Sequence, residues 1–131
     1  MATLTPNCIS GGNILPNRAL KFSAANTVIA ATAATDVVVG FSDGSLRYQD
    51  ATYNAIAGEA VSVQQPYEVF AYCTTASGIS AGSKLSATTA GGLIVYSNAA
   101  TSVPCAIALE TPSADGVLFR VWFIPNSAPG A

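Results

Sequence analysis

The sequence predicts an all-β protein, a single compact barrel or sandwich built from two similar β motifs and preceded by an extended N-terminal arm. Three observations predict it. Short apolar runs recur at the roughly 8–12-residue spacing of sandwiches and barrels. Between them lie turn-forming clusters such as Ala24-Ala25-Asn26, Asp43-Gly44, Ala57-Gly58, Ser77-Gly78, Ala90-Gly91-Gly92 and Asp115-Gly116. The order of runs and turns also repeats along the chain, which points to one β motif used more than once.

Residues 1–17 are rich in Thr, Asn, Pro and Gly, with Leu4, Ile9, Ile14 and Leu15 dispersed among them and no helical or alternating period. A polar arm with isolated apolar anchors suits a segment that docks on a neighbouring subunit; a frayed terminus is the other expectation. Met1–Pro6 has neither a basic start nor a continuous apolar core, so no signal peptide is expected. The β domain spans 18–124 and a flexible tail 125–131. Its strands are expected at Ala19–Ser23, Thr27–Ala31, Val37–Phe41, Ser45–Tyr48, Glu59–Gln64, Tyr67–Thr74, Lys84–Ala87, Leu93–Ser97, Cys105–Glu110 and Val117–Ile124. Ala30–Ala34 has helix-forming alanines, but the β-branched Thr27, Val28, Ile29, Thr32 and Thr35 around it favour strand and turn.

The clearest hairpin is the last. Val103–Glu110 and Val117–Ile124 flank a Pro/Ser/Asp-Gly turn, and the second run holds the only Trp. Alternation puts Phe119, Val121 and Phe123 on one face, expected as core, and Trp122 on the other.

The repeat aligns Val28 with Ile94. Ala33–Val37 then falls on Ala99–Val103, and Gly40-Phe41-Ser42 on Ala106-Ile107-Ala108. The first copy carries a longer loop, Gly44–Ala55, with Arg47, Tyr48, Asp50 and Tyr53. The copies meet again at Ala57–Val63 and Asp115–Val121. Gly58 and Gly116 stand where a turn hands over to a strand, a place for positive φ.

Composition excludes much chemistry. There is no His, so Ser-His triads, Cys-His dyads and His-ligated metals are ruled out. Cys8, Cys73 and Cys105 are too far apart for a metal-binding spacing and odd in number, which fits no disulfide framework. Cys73 and Cys105 read as small core hydrophobes, Cys8 as a thiol on the arm. The seven acids sit mostly beside Gly, Ser or Thr in turns, where a carboxylate commonly bonds local backbone. No catalytic residue, cofactor or metal site is expected, and no enzyme. Arg18, Lys21, Arg47, Lys84 and Arg120 are scattered in a chain of net charge −2, which speaks against a nucleic-acid partner. No run reaches the roughly 20 apolar residues of a membrane helix.

Only 9% of the residues are charged, against about 25% in ordinary domains. Obligate interfaces are depleted in Asp, Glu and Lys, so the chain is expected to cover part of its surface with other protein. Tyr48 and Tyr53, on the long loop, are the aromatics expected to be exposed. Together with Trp122 they suit a protein contact or stacking on a sugar.

Ala57–Val63, the stretch Gly78-Ile79-Ser80-Ala81-Gly82-Ser83-Lys84-Leu85, the turn Ala90–Leu93 and the closing Ala106–Glu110, Ala114–Gly116 and Arg120-Val121 resemble, in loose order, the head-decoration or capsid cement proteins of tailed bacteriophages. The long loop and the arm depart from that pattern. The resemblance implies a virion structural protein on the outer capsid, made in the host cytoplasm. It also implies a trimer bound where major capsid protein subunits meet. Its contact residues would be Leu4, Ile9, Ile14, Leu15, Tyr48, Tyr53 and Trp122. The competing class is a carbohydrate- or receptor-binding module of a phage fibre.

Overall fold

The computed structural model describes residues 7–47, 52–65, 68–97 and 101–124. Ten strands form: β1 (Asn7–Ser10), β2 (Ala19–Ala24), β3 (Thr27–Ala30), β4 (Gly40–Ser42), β5 (Ala60–Gln64), β6 (Glu68–Tyr72), β7 (Lys84–Ala87), β8 (Leu93–Val95), β9 (Ala106–Ala108) and β10 (Leu118–Phe123). There is no α-helix among the described residues, only a 3-10 turn at Thr89–Gly91. The expected all-β fold of two similar motifs is present.

β1 to β5 close a barrel in the order β1-β3-β2-β4-β5, with β1 antiparallel to β5 and parallel to β3. The second sheet runs β6-β10-β9-β7-β8. Opened between β1 and β3, the closed order reads β3-β2-β4-β5-β1; the second, written from its other end, reads β8-β7-β9-β10-β6. The two sheets are therefore the same topology used twice. Even the parallel closure persists in reduced form: Ser10 pairs with Val28 in the barrel, and a single parallel bridge joins Cys73 to Leu93 in the second sheet.

The ladders fix the internal alignment. Leu20 pairs with Ala30 as Leu85 pairs with Val95, and Phe22 with Val28 as Ala87 pairs with Leu93. Val28 thus corresponds to Leu93, one residue before the Ile94 expected from the sequence. A slip of one residue exchanges the faces of a strand, and burial confirms the ladder: Val28 and Leu93 are both fully buried, whereas Ile94 is half-buried. Gly40-Phe41-Ser42 does match Ala106-Ile107-Ala108. Ser42 N–H donates to the Arg18 carbonyl, and Ala108 N–H donates to the Ser83 carbonyl, both at 2.9 Å. The turn glycines match too. Gly58 (φ 88°) donates to the Ser10 carbonyl, and Gly116 (φ 79°) to the Cys73 carbonyl. Both sit in the left-handed region that a Cβ disfavours.

With this alignment the interiors correspond side chain by side chain. Cys8, Ile14, Leu20, Val28, Val39, Val61 and Val63 line the first copy; Ala71, Ile79, Leu85, Leu93, Cys105, Phe119 and Val121 line the second. Alternation along β10 buries Phe119, Val121 and Phe123, as the hairpin pattern predicts. The second interior continues into the seam between copies, where Ala19, Ala31, Val38 and Phe41 from the first copy join its cluster. Phe41 meets Phe123 edge to face, with ring centroids 5.8 Å apart. Each buried aromatic contributes about 1.5–3 kcal/mol of transfer free energy.

Polar contacts lock the seam. Tyr72 N–H donates to the Asn17 carbonyl (3.0 Å), Gly91 N–H to the Ala31 carbonyl (2.7 Å) and Val103 N–H to the Ala34 carbonyl (2.8 Å). Arg18 lies over the Tyr72 ring, 3.8 Å from its centroid, and donates to the Ala90 carbonyl. A Cβ at Gly91 would come within 2.6 Å of the Ala19 carbonyl oxygen, so backbone approaches backbone closely there.

Three expectations are corrected. From Asn7 onward, the segment expected as an arm belongs to the first copy: β1 holds ladders on both sides and Ile14 is fully buried, bridged to Ala55. Single polar residues between apolar ones hid a strand whose outer face meets solvent. Cys8 is accordingly a buried barrel residue and not an exposed thiol. Ser45–Arg47 form no strand; Asp43 instead organises that stretch, its Oδ1 accepting from Ser45 N–H and Asn54 Nδ2.

Candidate interaction surface

The outer face of the second sheet is unlike the outer face of the first. Leu118, Arg120 and Trp122 project from β10, and Glu68, Phe70 and Tyr72 from the paired β6, in the register Leu118–Tyr72, Arg120–Phe70, Trp122–Glu68. Phe70, Leu118 and Trp122 are about half exposed, at 52%, 51% and 47%. The equivalent places on β5 hold Ala60, Ser62 and Gln64. Exposed apolar side chains scattered singly need no explanation, but a cluster on one sheet face marks a contact.

Electrostatically the cluster is self-contained. Arg120 lies between Glu110 (Nε to Oε2, 3.6 Å) and Glu68 (Nη1 to Oε1, 3.9 Å), and its backbone N–H donates to Glu110 Oε2 at 2.8 Å. Beside it, Asn17, Gly44, Gln64, Phe70 and Leu118 line an open groove of about 400 Å³ where the two copies meet.

The expected contact residues are dispersed. Leu4 and Tyr48 lie outside the described residues. Ile14 is core, which removes it as an anchor. Leu15 is half-buried, its carbonyl accepting from Ser42 Oγ. Tyr53, expected to be exposed, is half-buried, and its carbonyl accepts from Arg47 N–H. The same Arg47 binds Glu59 through Nε and Nη2 at 2.7 and 3.0 Å, tying the long loop to the start of β5. Ile9, 46% exposed on β1, and Trp122 remain on the surface, one on each copy. Phe70 and Leu118 were not singled out from sequence; alternation along β6 and β10 carries their signal, since each is out of phase with the buried residues.

Other candidate chemistry resolves into structure. Among the described residues no three of His, Cys, Asp and Glu converge on a metal position. Glu59 Oε1 accepts from Ile56 N–H, the local backbone bonding expected of turn acids, whereas Asp115 Oδ1 accepts from Ala76 N–H of a segment 39 residues earlier and ties two loops together. Burial pushes the Cys105 thiol up to about 12 and, with Asp115 nearby, raises that of Cys73, so neither is a ready nucleophile. Burial at the seam lowers the Arg18 pKa, with Tyr72 acting against it.

No protein-family model matches the chain, and no curated protein matches it in sequence. Among solved structures, the head fiber gp8.5 N base of bacteriophage phi29 has a similar fold, with a TM-score of 0.58 and 12% sequence identity. The match covers 97% of this chain and 98% of that one, both copies included.

Proposed function

We propose that the chain is a structural protein of a phage virion, carried on the outer surface of the capsid where major capsid protein subunits meet. One observation carries this reading: the similarity to a phage head fiber base extends over both chains nearly end to end, so the whole duplicated fold is shared and not a generic barrel within it. Two further observations support it. The chain is poor in charge, and its clustered exposed residues are apolar and suited to protein contact. In this role it works by shape and burial, as a self-associating decoration or fibre base, without cofactor, metal or reaction centre.

The test is co-sedimentation with phage heads that lack the protein. Saturable binding to heads is expected, with increased resistance of the loaded heads to heat. Absence of binding to heads, combined with selective binding on a glycan array, would replace this reading with the carbohydrate-binding module that half-exposed Trp122 beside Arg120 also suits.

A further inference from the structure

The seam joins two different surfaces of the repeated fold. The second copy brings Tyr72, the turn Thr89–Gly91 and Val103; the first brings Asn17, Arg18, Ala31 and Ala34. Because the fold is used twice, each chain carries a further version of both surfaces. The ladders locate the first of them on the barrel: Ile9 stands at the place of Tyr72, Phe22 at that of Ala87 and Val37 at that of Val103. Ala87 belongs to the cluster that Ala19, Ala31, Val38 and Phe41 join across the seam, and Val103 is 3% exposed. Phe22 and Val37 are each 54% exposed and Ile9 46%. These three lie at one end of the barrel. Ile9 pairs with Thr27 of β3, β3 pairs with the β2 strand that holds Phe22, and Val37 leads into β4 on the other side of β2. The second surface lies on the other copy. Lys84 corresponds to Ala19, Tyr96 to Ala31 and Ile107 to Phe41, since Lys84 pairs with Ile107 as Ala19 does with Phe41, and Tyr96 N–H donates to the Lys84 carbonyl as Ala31 N–H does to that of Ala19. Ala19, Ala31 and Phe41 are fully buried, whereas Lys84 is exposed and Tyr96 and Ile107 are half-buried.

We propose that chains associate head to tail through these two surfaces: the Ile9, Phe22 and Val37 end of one chain seats on the Lys84, Tyr96 and Ile107 face of the next, as the second copy seats on the first within each chain. The internal seam names the occupant, because it shows the same pair of surfaces already fitted together. Exposed apolar side chains gathered at the place where the fold is otherwise covered mark a contact. Side-chain size follows the change from an internal to an external contact. At the seam Gly91 lets backbone approach backbone. Asn26 corresponds to Gly91 and shares its left-handed φ, 58° against 75°, but its Cβ holds a neighbour further off. Phe22 in place of Ala87 and Tyr96 in place of Ala31 supply the bulk that a wider gap needs. The groove beside the seam is matched too. Gln64 and Leu118 line it, and the corresponding places hold Trp122 and Ala60, so bulk is exchanged from one side to the other. A contact between unlike surfaces propagates from chain to chain and closes into a ring where the rotation allows, which agrees with the trimer that the resemblance implies.

The inference deepens the reading of the chain as a self-associating subunit, and head binding is measured separately to keep the two apart. Analytical ultracentrifugation of the full chain over a concentration series should show reversible assembly. Phe22→Glu disables one surface and Trp122→Glu the other. Both side chains are about half exposed, so each variant alone should be a monomer with unchanged circular dichroism. Mixed in equal amounts, the two variants should form a dimer and nothing larger, because one working surface of each kind remains. The milder Phe22→Ala and Trp122→Ala should each weaken assembly at least about tenfold. A wild-type chain that stays monomeric, a glutamate variant that assembles normally, or a mixture that stays monomeric overturns the proposal. Variants that assemble normally but lose head binding also overturn it and assign these surfaces to the shell. Complementation in the mixture supports it whether or not the protein binds heads.

Discussion

Across the β1–β5 ladder Cys8 faces Val61; in the second copy the corresponding places, across β6–β10, hold Ala71 and Phe119. One partner has shrunk where the other has grown, so the pair fills a similar volume in both interiors. The outer faces show no such compensation: Ala60 and Ser62 stand where the second copy has Leu118 and Arg120. Interior positions are constrained by close packing and change together. Outer positions are constrained only by what they meet: β10 carries Leu118 and Trp122 where β5 carries Ala60 and Gln64, while the exposed apolar side chains of the first copy, Ile9, Phe22, Val37 and Leu46, lie at other places. The difference teaches where each copy's duty lies. The first closes a barrel on itself; the second leaves β6 and β8 joined by one bridge and covers part of its sheet with the first copy.

Breaking the closed copy has the largest expected effect. Deleting Met1–Ser10 removes β1 with its ladders to β3 and β5 and exposes Val28, Val61 and Val63. The expected outcome is loss of the cooperative thermal transition followed by circular dichroism. A folded, cooperatively melting product would mean that β1 is dispensable to the barrel.

That strand also shows how far the sequence was legible. Lys84–Ala87 has the boundaries expected from its composition, and β10 appears through its alternation, because both are bounded by turn chemistry. The repeat was visible because turn glycines and β-branched runs survive duplication, but its register was off by one at β3. Where Ile94 and Leu93 are both large and apolar, composition does not say which points inward; the ladder decides. β1 escaped notice because Asn7-Cys8-Ile9-Ser10 has one polar neighbour for each apolar residue and is only four residues long. Its strand character comes from partners far along the chain, which is a tertiary effect. At the surface, Trp122 was legible as the side chain opposite a core face, whereas Phe70 and Leu118 gained meaning only when pairing placed them beside it.

The compensated pair sharpens the comparison next. Val61→Phe alone overpacks the barrel and should destabilise by about 1–3 kcal/mol. Cys8→Ala alone leaves a small cavity and should cost about 1 kcal/mol. The double variant copies the second interior into the first and should be more stable than the two losses summed, with a favourable coupling of about 1 kcal/mol in urea denaturation. Strict additivity would mean that the two interiors are not interchangeable.

At the seam, Arg18→Ala removes the cation over Tyr72 and the bond to the Ala90 carbonyl, and should cost about 1–2 kcal/mol. Arg18→Lys should recover little, because the flat guanidinium is what stacks on the ring. Equal stability of Arg18→Lys and wild type would reduce Arg18 to a charge.

The smallest expected effect separates the copies by pH. Burial alone would raise the Asp36 pKa, but hydrogen bonds from Thr32 N–H (2.7 Å), Lys21 Nζ (3.1 Å), Ala33 N–H (3.0 Å) and the Thr32 hydroxyl (3.1 Å) outweigh it and hold the carboxyl below its usual range. A carboxylate whose pKa is lower in the folded than in the unfolded chain stabilises the fold above the unfolded value of about 3.9; that stability is lost as pH falls through the folded value. The second copy has Ser102 at this place, whose hydroxyl lies 3.4 Å from that of Ser97 and does not titrate in this range. Asp36→Asn should therefore cost about 1 kcal/mol at neutral pH and progressively less below about pH 4, whereas the cost of Ser102→Ala should not change with pH. Urea denaturation of both variants at neutral and acid pH reads the difference directly. A cost for Asp36→Asn that stays constant down to strongly acid pH would mean that the loop keeps its turn by shape, and that the Lys21–Asp36 charge pair adds nothing the serine of the second copy lacks.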